Sequence, residues 1–248
     1  MRCASRAGIS CAIWSGMSDS PWTPLGPKIA VMDGDPVRML GIPFRTRMTI
    51  VELTGGGLWI HSPVAPDDSR CQAVSERGTV RHLVAPGTFH HLHVGAWQTR
   101  YPEATTWAAP GLPSRYPERC FDRELTDVAP ADWRDDIEQV VFLGSKVMLE
   151  VVFFHRPSRT LLITDIVQNH EPAADSWFWR AVKRLNNVAA PHGGVPRDWR
   201  LTVRDRDPAR RARDRMLSWP FEQVVLTHGR CITERAHERI EQAFAWLG

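Results

Sequence analysis

The chain has 248 residues, of which 43% are hydrophobic and 24% are charged, and its formal net charge is +3 at pH 7. This composition is typical of a globular protein with a sizeable core, and no apolar run approaches the ~20 residues of a membrane-spanning helix. The basic cluster "RDRDPARRARDR" at 204–215 alternates with aspartates, which argues against nucleic acid as a partner. We therefore expect a small-molecule partner and no membrane partner, and we leave the oligomeric state open.

The cysteines and the N-terminal segment indicate the cellular compartment. The five cysteines are scattered and show no CxxC spacing, so they predict neither a disulfide framework nor a structural zinc site. Residues 1–20 contain arginines and small residues but no continuous apolar stretch of signal-peptide length, which favours a disordered or misannotated leader. We predict a cytoplasmic protein with a disordered leader over 1–23 and one domain over 24–248.

The first half of the domain predicts strands that alternate with helices. Short β-type runs separated by Gly and Pro turns predict an antiparallel meander from "KIAVMDG" to "GLWIHSP". A helix in "DDSRCQAVSERG", a buried strand in "VRHLVAP", a helix in "GAWQTRYP" and a strand in "ATTWAAPG" follow. This alternation predicts an α/β layer.

The second half predicts a hairpin followed by helices. The strands "KVMLEVVFF" and "TLLITDIV" flank "HRPSR", a loop of hairpin length, and the strand "VVFLG" precedes them. Helices are expected in "SWFWRAVKRLNN" and "DPARRARDRMLSW", and the strand "QVVLTHG" follows. The amphipathic segment "TERAHERIEQAFAWL" predicts a last helix with Thr233 as its N-cap.

Candidate metal ligands follow three of the predicted strands. In "FHHLHVGAW" (89–97), an extended backbone would point His91 and His93 to one side and His90 to the other. Asp165 directly follows "TLLIT", and His228 directly follows "QVVLT". Because open α/β sheets place their ligands beyond the carboxyl ends of strands, these side chains are candidates for one mixed nitrogen and oxygen site.

The same residues have a structural alternative, in which each caps a turn or a helix N-terminus. Glu150, in "MLEVVFF", interrupts an apolar strand and is expected either to face solvent or to pair with a histidine. Spacing alone leaves these alternatives open.

Longer segments resemble a known fold and family. "VRHLVAPGTFHHLHVGAWQTRYPEATTWAAPG", "LEVVFFHRPSRTLLITDIVQN" and "VVLTHG" follow one another as the metal-binding segments do in the metallo-β-lactamase fold. "RMTIVELTGGGLWIHSP", "HHLHVGAWQTRYPEA" and "EVVFFHRPSRTLLITD" resemble an uncharacterised bacterial family on that fold, domain of unknown function 4336, over about residues 24–247. The resemblance implies an αββα sandwich with two mixed β-sheets.

The resemblance also implies a ligand set. His91 and His93 match the first two histidines of the His-x-His-x-Asp-His signature, Asp165 matches the bridging aspartate, and His228 matches the late histidine. The register can slip by one, because His90 and His91 are adjacent. Three expected ligands are missing, since Gly95 and Ala96 replace the Asp-His pair and "FLGSK" offers only Ser145 in place of the loop histidine.

The missing ligands leave neither ion of a dinuclear centre with a complete set. We therefore expect a degenerate metal site and no dinuclear hydrolase, which favours a binding or scaffold protein whose histidines pair with Asp165 and with backbone carbonyls. The alternative is an atypical mononuclear hydrolase of a small ester, amide or phosphoester with one zinc, iron or manganese ion. His90 or His155 would then act as the acid or base, and whether the protein is an enzyme stays open.

Overall fold

Two β-sheets pack face to face in the computed structural model, which describes residues 20–39, 41–145, 147–171 and 175–248. Within these residues the first sheet has seven strands in chain order. They are β1 (Thr23–Gly26), β2 (Ile29–Met39), β3 (Ile42–Glu52), β4 (Leu58–His61), β5 (Val80–Ala85), β6 (Thr105–Ala108) and β7 (Arg123–Glu124). Strands β1 to β4 pair antiparallel, and β4 to β7 pair parallel.

The second sheet has four strands in the described part of the chain, in the order β11-β10-β9-β8. They are β8 (Ile137–Phe142), β9 (Glu150–His155), β10 (Thr160–Ile163) and β11 (Gln223–Leu226). Strands β8, β9 and β10 pair antiparallel, and β10 pairs parallel with β11. Both sheets are therefore mixed, as the resemblance implies.

Helices cover the outer face of each sheet. The apolar cluster that includes Trp97 joins the first sheet to helices of the first half, and the cluster that includes Met216 joins the second sheet to helices of the second half. A third cluster, with Trp59 and Phe153, fills the space between the sheets. The helices are α1 (Asp68–Ser75), α2 (Val94–Arg100), α3 (Leu112–Arg115), α4 (Trp177–Leu185), α5 (Arg197–Thr202), α6 (Arg206–Leu217) and α7 (Ala236–Phe244), and a short 3-10 helix spans Ala245–Leu247. This is the predicted αββα sandwich.

Most predicted elements are present, including the hairpin of β9 and β10. The predicted N-cap of the last helix is wrong: α7 begins at Ala236, and its N-cap is Arg235 in the left-handed conformation, at φ 48°. The predicted leader lies mostly in residues 1–19, outside the described residues. Trp22 is buried and Thr23 begins β1, so the described structure starts before position 24. No described helix combines the length and apolar character required to cross a membrane.

Candidate metal centre

Three side chains converge where strands of both sheets end. His90 lies in the turn 88–93 that follows β5, Asp165 follows β10, and His228 follows β11. Among the described residues, these three form a group whose potential ligand atoms all lie within 4.8 Å of one another. The site is therefore built at the carboxyl ends of strands, as expected for an α/β sheet.

Asp165 lies between the two imidazoles. Its Oδ2 is 3.2 Å from Nε2 of His90, and its Oδ1 is 3.2 Å from Nε2 of His228. The side chains are almost fully buried, with 6% exposure for Asp165 and 7% for each histidine. The charges and hydrogen-bonding groups at this point therefore interact with little screening by water.

Each imidazole is held by its other ring nitrogen. Nδ1 of His228 is 2.7 Å from the backbone oxygen of Arg45, and Nδ1 of His90 is 2.7 Å from Oγ of Ser62. A carbonyl oxygen only accepts, so Nδ1 of His228 carries the proton, and this N–H donates a hydrogen bond to the backbone oxygen of Arg45. Nε2 of a neutral His228 then presents its lone pair to Asp165. This arrangement, with Nδ1 bonded outward and Nε2 free, is typical of metal-ligating histidines.

The contacts at Asp165 fit a cation. Nε2 of His90 and Oδ2 of Asp165 are buried, and neither has a hydrogen-bond partner among the described residues although the atoms lie 3.2 Å apart. A neutral imidazole lone pair and a carboxylate oxygen repel at this distance unless a proton or a cation lies between them. Two imidazole nitrogens and a carboxylate, with the remaining positions open, are a donor set suited to zinc or to non-haem iron.

The pKa of Asp165 reflects the same surroundings. Burial raises its pKa, but His90 and His228 in their protonated forms lower it more through their charges and hydrogen bonds. The net result is a pKa well below the ordinary value for aspartate. Asp165 is thus ionised at neutral pH and available as an anionic ligand.

Glu150 anchors the segment that carries Asp165. It is fully buried at the start of β9, and its carboxylate accepts from the backbone N–H of Thr164, of Asp165 at 2.7 Å and of Ile166 at 2.8 Å. Burial and the charge of Asp165 raise the pKa of Glu150 to about 7, against the lowering effect of the three N–H groups. Glu150 therefore neither faces solvent nor pairs with a histidine, the two expectations from the sequence.

The turn after β11 positions His228. Gly229 has φ +102°, and a Cβ at this position would lie 2.0 Å from the backbone oxygen of Asn169. The backbone N–H of Asn169 donates to the oxygen of His228 at 3.1 Å, and the N–H of Arg230 donates to the oxygen of Asn169 at 2.9 Å. Glycine at 229 permits this close approach, which fixes the backbone on both sides of His228.

Two of the four predicted ligands lie in this cluster, Asp165 and His228, and the other two do not. His91 is buried against the ring of Tyr116, with centroids 4.3 Å apart, and burial is the main cause that lowers its pKa to about 4. His93 is half-buried and precedes α2 as its N-cap residue without a side-chain capping bond. The expectation that both point to one side assumed extended backbone, whereas residues 88–93 form turns. His90 lies in the cluster instead.

His155, a predicted acid or base, lies elsewhere. It is buried at the far end of β9 from Glu150, a separation of about 17 Å along a six-residue strand. Its Nδ1 lies 2.7 Å from Oγ of Ser158, and burial is the main cause that lowers its pKa to about 4. We assign it no part in the site.

The supporting residues leave little signal in the sequence. Ser62, directly after β4, and Arg45, on β3, contact the histidines from distant parts of the sequence, and Arg45 does so through its backbone. Glu150 was noticeable as an acidic residue in an apolar run, but the pattern cannot name backbone N–H groups as its partners. His90 was noticeable through the register ambiguity with His91.

Structural comparison shows the fold. The chain is similar to a metallo-β-lactamase from Hirschia baltica, with a TM-score of 0.60, 13% identity and coverage of 91% of this chain and 96% of the other. It is also similar to the metallo-β-lactamase FIM-1 from Pseudomonas aeruginosa in its mono-zinc form, with a TM-score of 0.59, 12% identity and coverage of 91% and 95%. A flavodiiron core from Synechocystis sp. PCC6803 matches with a TM-score of 0.60 and 9% identity over 91% of this chain and 60% of that one.

Sequence comparison gives the family. No curated protein matches the chain significantly. The model of the Domain of unknown function (DUF4336) matches residues 36–176, which is more than half of the chain and includes His90, Glu150 and Asp165. The chain therefore belongs to the DUF4336 family and has the metallo-β-lactamase fold.

Proposed function

We propose that this protein is a mononuclear metal-dependent hydrolase with His90, Asp165 and His228 as its metal ligands. The observation that carries the proposal is the pair of Nε2 atoms, each 3.2 Å from one oxygen of the same buried carboxylate. The substrate class is an ester, amide or phosphoester, by analogy with the fold. We propose one ion and not two, because Gly95, Ala96 and Ser145 occupy the positions where the resemblance leads us to expect further ligands.

An ion bound here would supply Lewis acidity, which polarises a carbonyl or phosphoryl oxygen and makes water more acidic. The protein's own residues hold the three ligand side chains in position. Ser62 and the Arg45 carbonyl hold the two rings, and Glu150 holds the backbone on both sides of Asp165. In the net reaction, water adds to the acyl or phosphoryl centre, the bond to the leaving group breaks, and the leaving group takes up a proton.

A metal-free binding protein is the second candidate. The observation in its favour is that Asp165 is placed to form ion pairs with both imidazoles if they are protonated. In that case Nε2 of each ring donates to the carboxylate, and no cation is needed. Metal content distinguishes the two candidates.

The proposed function is tested by hydrolysis after loading with zinc, iron(II) or manganese(II). The substrates are 4-nitrophenyl acetate, 4-nitroacetanilide and bis(4-nitrophenyl) phosphate. We expect ion-dependent hydrolysis of at least one of them. Asp165→Asn and His228→Gln should each lower this rate at least about 100-fold, because even residues that only support a metal ligand cost 10- to 100-fold when changed.

The matched control is His192→Gln, since His192 is exposed and lies outside the site. It should retain the rate of the unmodified protein. Absence of hydrolysis with every ion, or a rate that Asp165→Asn leaves unchanged, would contradict the proposal.

A further inference from the structure

Two cavities meet at Asp165. The first, which we call the apolar cavity, has a volume of about 560 Å³ and lies beside α4 and α5, where Val182 and Trp199 line it. The second, the histidine cavity, has a volume of about 430 Å³ and is lined by Arg38, His93 and Arg119 among others. Phe44, Phe89 and Asp165 line both. Volumes of this size are typical of small-molecule sites.

Lys183 and His170, two polar residues that line the apolar cavity, already have partners within the protein. Nζ of Lys183 donates to Asp175 at 2.8 Å and to the oxygen of Pro43 at 3.2 Å. Nε2 of His170 lies 2.8 Å from Oε1 of Gln168. A ligand there would therefore meet mainly aliphatic and aromatic side chains, which include Ile42, Val147, Met148 and Val188. An apolar chain fits this surface, because burial of each methylene tightens binding about fourfold, the equivalent of ~0.8 kcal/mol.

The histidine cavity has the opposite character. Arg38 is exposed and makes no ion pair within the described part of the chain. Its Nη1 donates a 3.5 Å hydrogen bond to the backbone oxygen of Gly41. Arg119 donates to the backbone oxygens of His91 and Leu92, each at 3.2 Å, and lies 3.8 Å from Glu118. The two guanidinium groups favour a polar or anionic ligand group on this side of Asp165.

We infer that the substrate is amphipathic, with a straight acyl chain in the apolar cavity and an anionic leaving group in the histidine cavity. The acyl carbonyl then lies at the junction, beside Asp165. This inference rests on the proposed function for the reaction itself, but the binding of the two arms does not depend on a metal. Hydrolysis would transfer the acyl group to water and release it as a carboxylic acid. The leaving-group atom that was bonded to the carbonyl would take up a proton, and the anionic group would be unchanged.

The test is calorimetric titration with N-hexanoylglycine, N-octanoylglycine and N-decanoylglycine, on the protein as purified and after chelation. Each ligand has an acyl chain, a central amide and a carboxylate. We expect Kd to fall by about 16-fold for every two methylenes, until the cavity is full. The uncharged N-octanoylglycinamide should bind about twofold to fivefold more weakly than N-octanoylglycine, the range for a partly exposed ion pair.

Two variants that fill the apolar cavity, and one control, test where the acyl chain binds. Val182→Trp fills the apolar cavity from a half-buried position on α4, and Leu185→Trp adds the same side chain on the same helix at a position that is 71% exposed and outside the cavity lining. Val147→Trp fills the cavity from a second wall, at a position that is 52% exposed. The two filling variants should lose the chain-length dependence, and Leu185→Trp should retain it. Thermal unfolding confirms that each variant is folded.

Affinity that does not change with chain length, or equal behaviour of Val182→Trp, Val147→Trp and Leu185→Trp, would overturn the inference. Equal affinity for N-octanoylglycine and its amide would overturn the assignment of the anionic arm. Chain-dependent binding without hydrolysis by any metal form would support the amphipathic ligand and refute the proposed function. Hydrolysis of 4-nitrophenyl acetate without chain-dependent binding would support the proposed function and refute the amphipathic ligand.

Discussion

Replacing Gly229 by alanine tests how the backbone positions His228. A Cβ at 229 would lie 2.0 Å from the oxygen of Asn169, 2.4 Å from its carbonyl carbon and 2.8 Å from the nitrogen of His170. All three are backbone atoms, so the contact cannot be relieved by turning a side chain. The loop must move, and the hydrogen bonds between Asn169 and its neighbours His228 and Arg230 weaken or break.

The cost has two parts. A non-glycine residue at φ +102° is strained by about 1–3 kcal/mol. Loss of the two backbone bonds, at 3.1 Å and 2.9 Å, adds about 1 kcal/mol each. We therefore expect Gly229→Ala to lower the free energy of unfolding by about 3–5 kcal/mol, which is a large fraction of the 5–15 kcal/mol typical of a folded domain.

The assay is urea denaturation, together with zinc titration against a chelator of known affinity. Zinc binding should weaken at least about tenfold, because the loop that holds His228 moves. The matched control is Gly95→Ala on α2, where a Cβ would have no neighbour within 4 Å. It should leave stability unchanged or raise it by up to about 1 kcal/mol. If the free energy of unfolding of Gly229→Ala lies within about 1 kcal/mol of that of the control, this explanation of the turn is refuted.

Three further changes concern buried polar groups. Glu150→Ala should weaken zinc binding about 10- to 100-fold in the same chelator titration, because three backbone N–H groups beside Asp165 lose their acceptor; unchanged affinity would contradict a positioning role. Lys183→Met should lower the free energy of unfolding by about 3–5 kcal/mol, since it leaves the carboxylate of Asp175 buried and unpaired, and adding Asp175→Asn should recover part of the loss. His155 has a folded pKa of about 4, below the ordinary 6.5, so its stabilising contribution is complete above pH 6.5 and is lost as the pH falls toward 4. His155→Gln should therefore reduce the slope of the free energy of unfolding against pH in that window by about 1.4 kcal/mol per pH unit. An unchanged slope would contradict the lowered pKa of His155.

The strand-end residues could be predicted from the sequence because apolar runs mark strands directly. "TLLIT" and "QVVLT" end at the sheet edge, so Asp165 and His228 were expected there, and the structure brings them together. The hairpin was predictable for the same reason, since the loop length and turn residues are local features. The αββα arrangement came from the resemblance and from the order of the elements.

The sequence leaves open whether His90 or His91 joins them, because the direction of each side chain depends on long-range contacts. The segment after β5 is fixed by contacts with the start of β9: the N–H of Val151 donates to Pro86 at 2.7 Å, and the N–H of Thr88 donates to Leu149 at 3.1 Å. These bonds place residues 88–93 in turns, and His90 points to Asp165. Strand alternation is a poor guide in such a segment. The partners of Glu150 depend on the tertiary structure in the same way.

The metal content of protein purified without a histidine tag decides between a metal centre and an ion-paired cluster. Elemental analysis should compare the unmodified chain with His90→Ala, His228→Ala and His91→Ala, each after incubation with zinc, iron(II) and manganese(II). We predict about one ion per chain in the unmodified protein and in His91→Ala, and less than about one tenth of that in His90→Ala and His228→Ala. Absence of metal from the unmodified protein under all three conditions, or its loss from His91→Ala and retention in His90→Ala, would contradict the assignment of His90, Asp165 and His228 as the ligands.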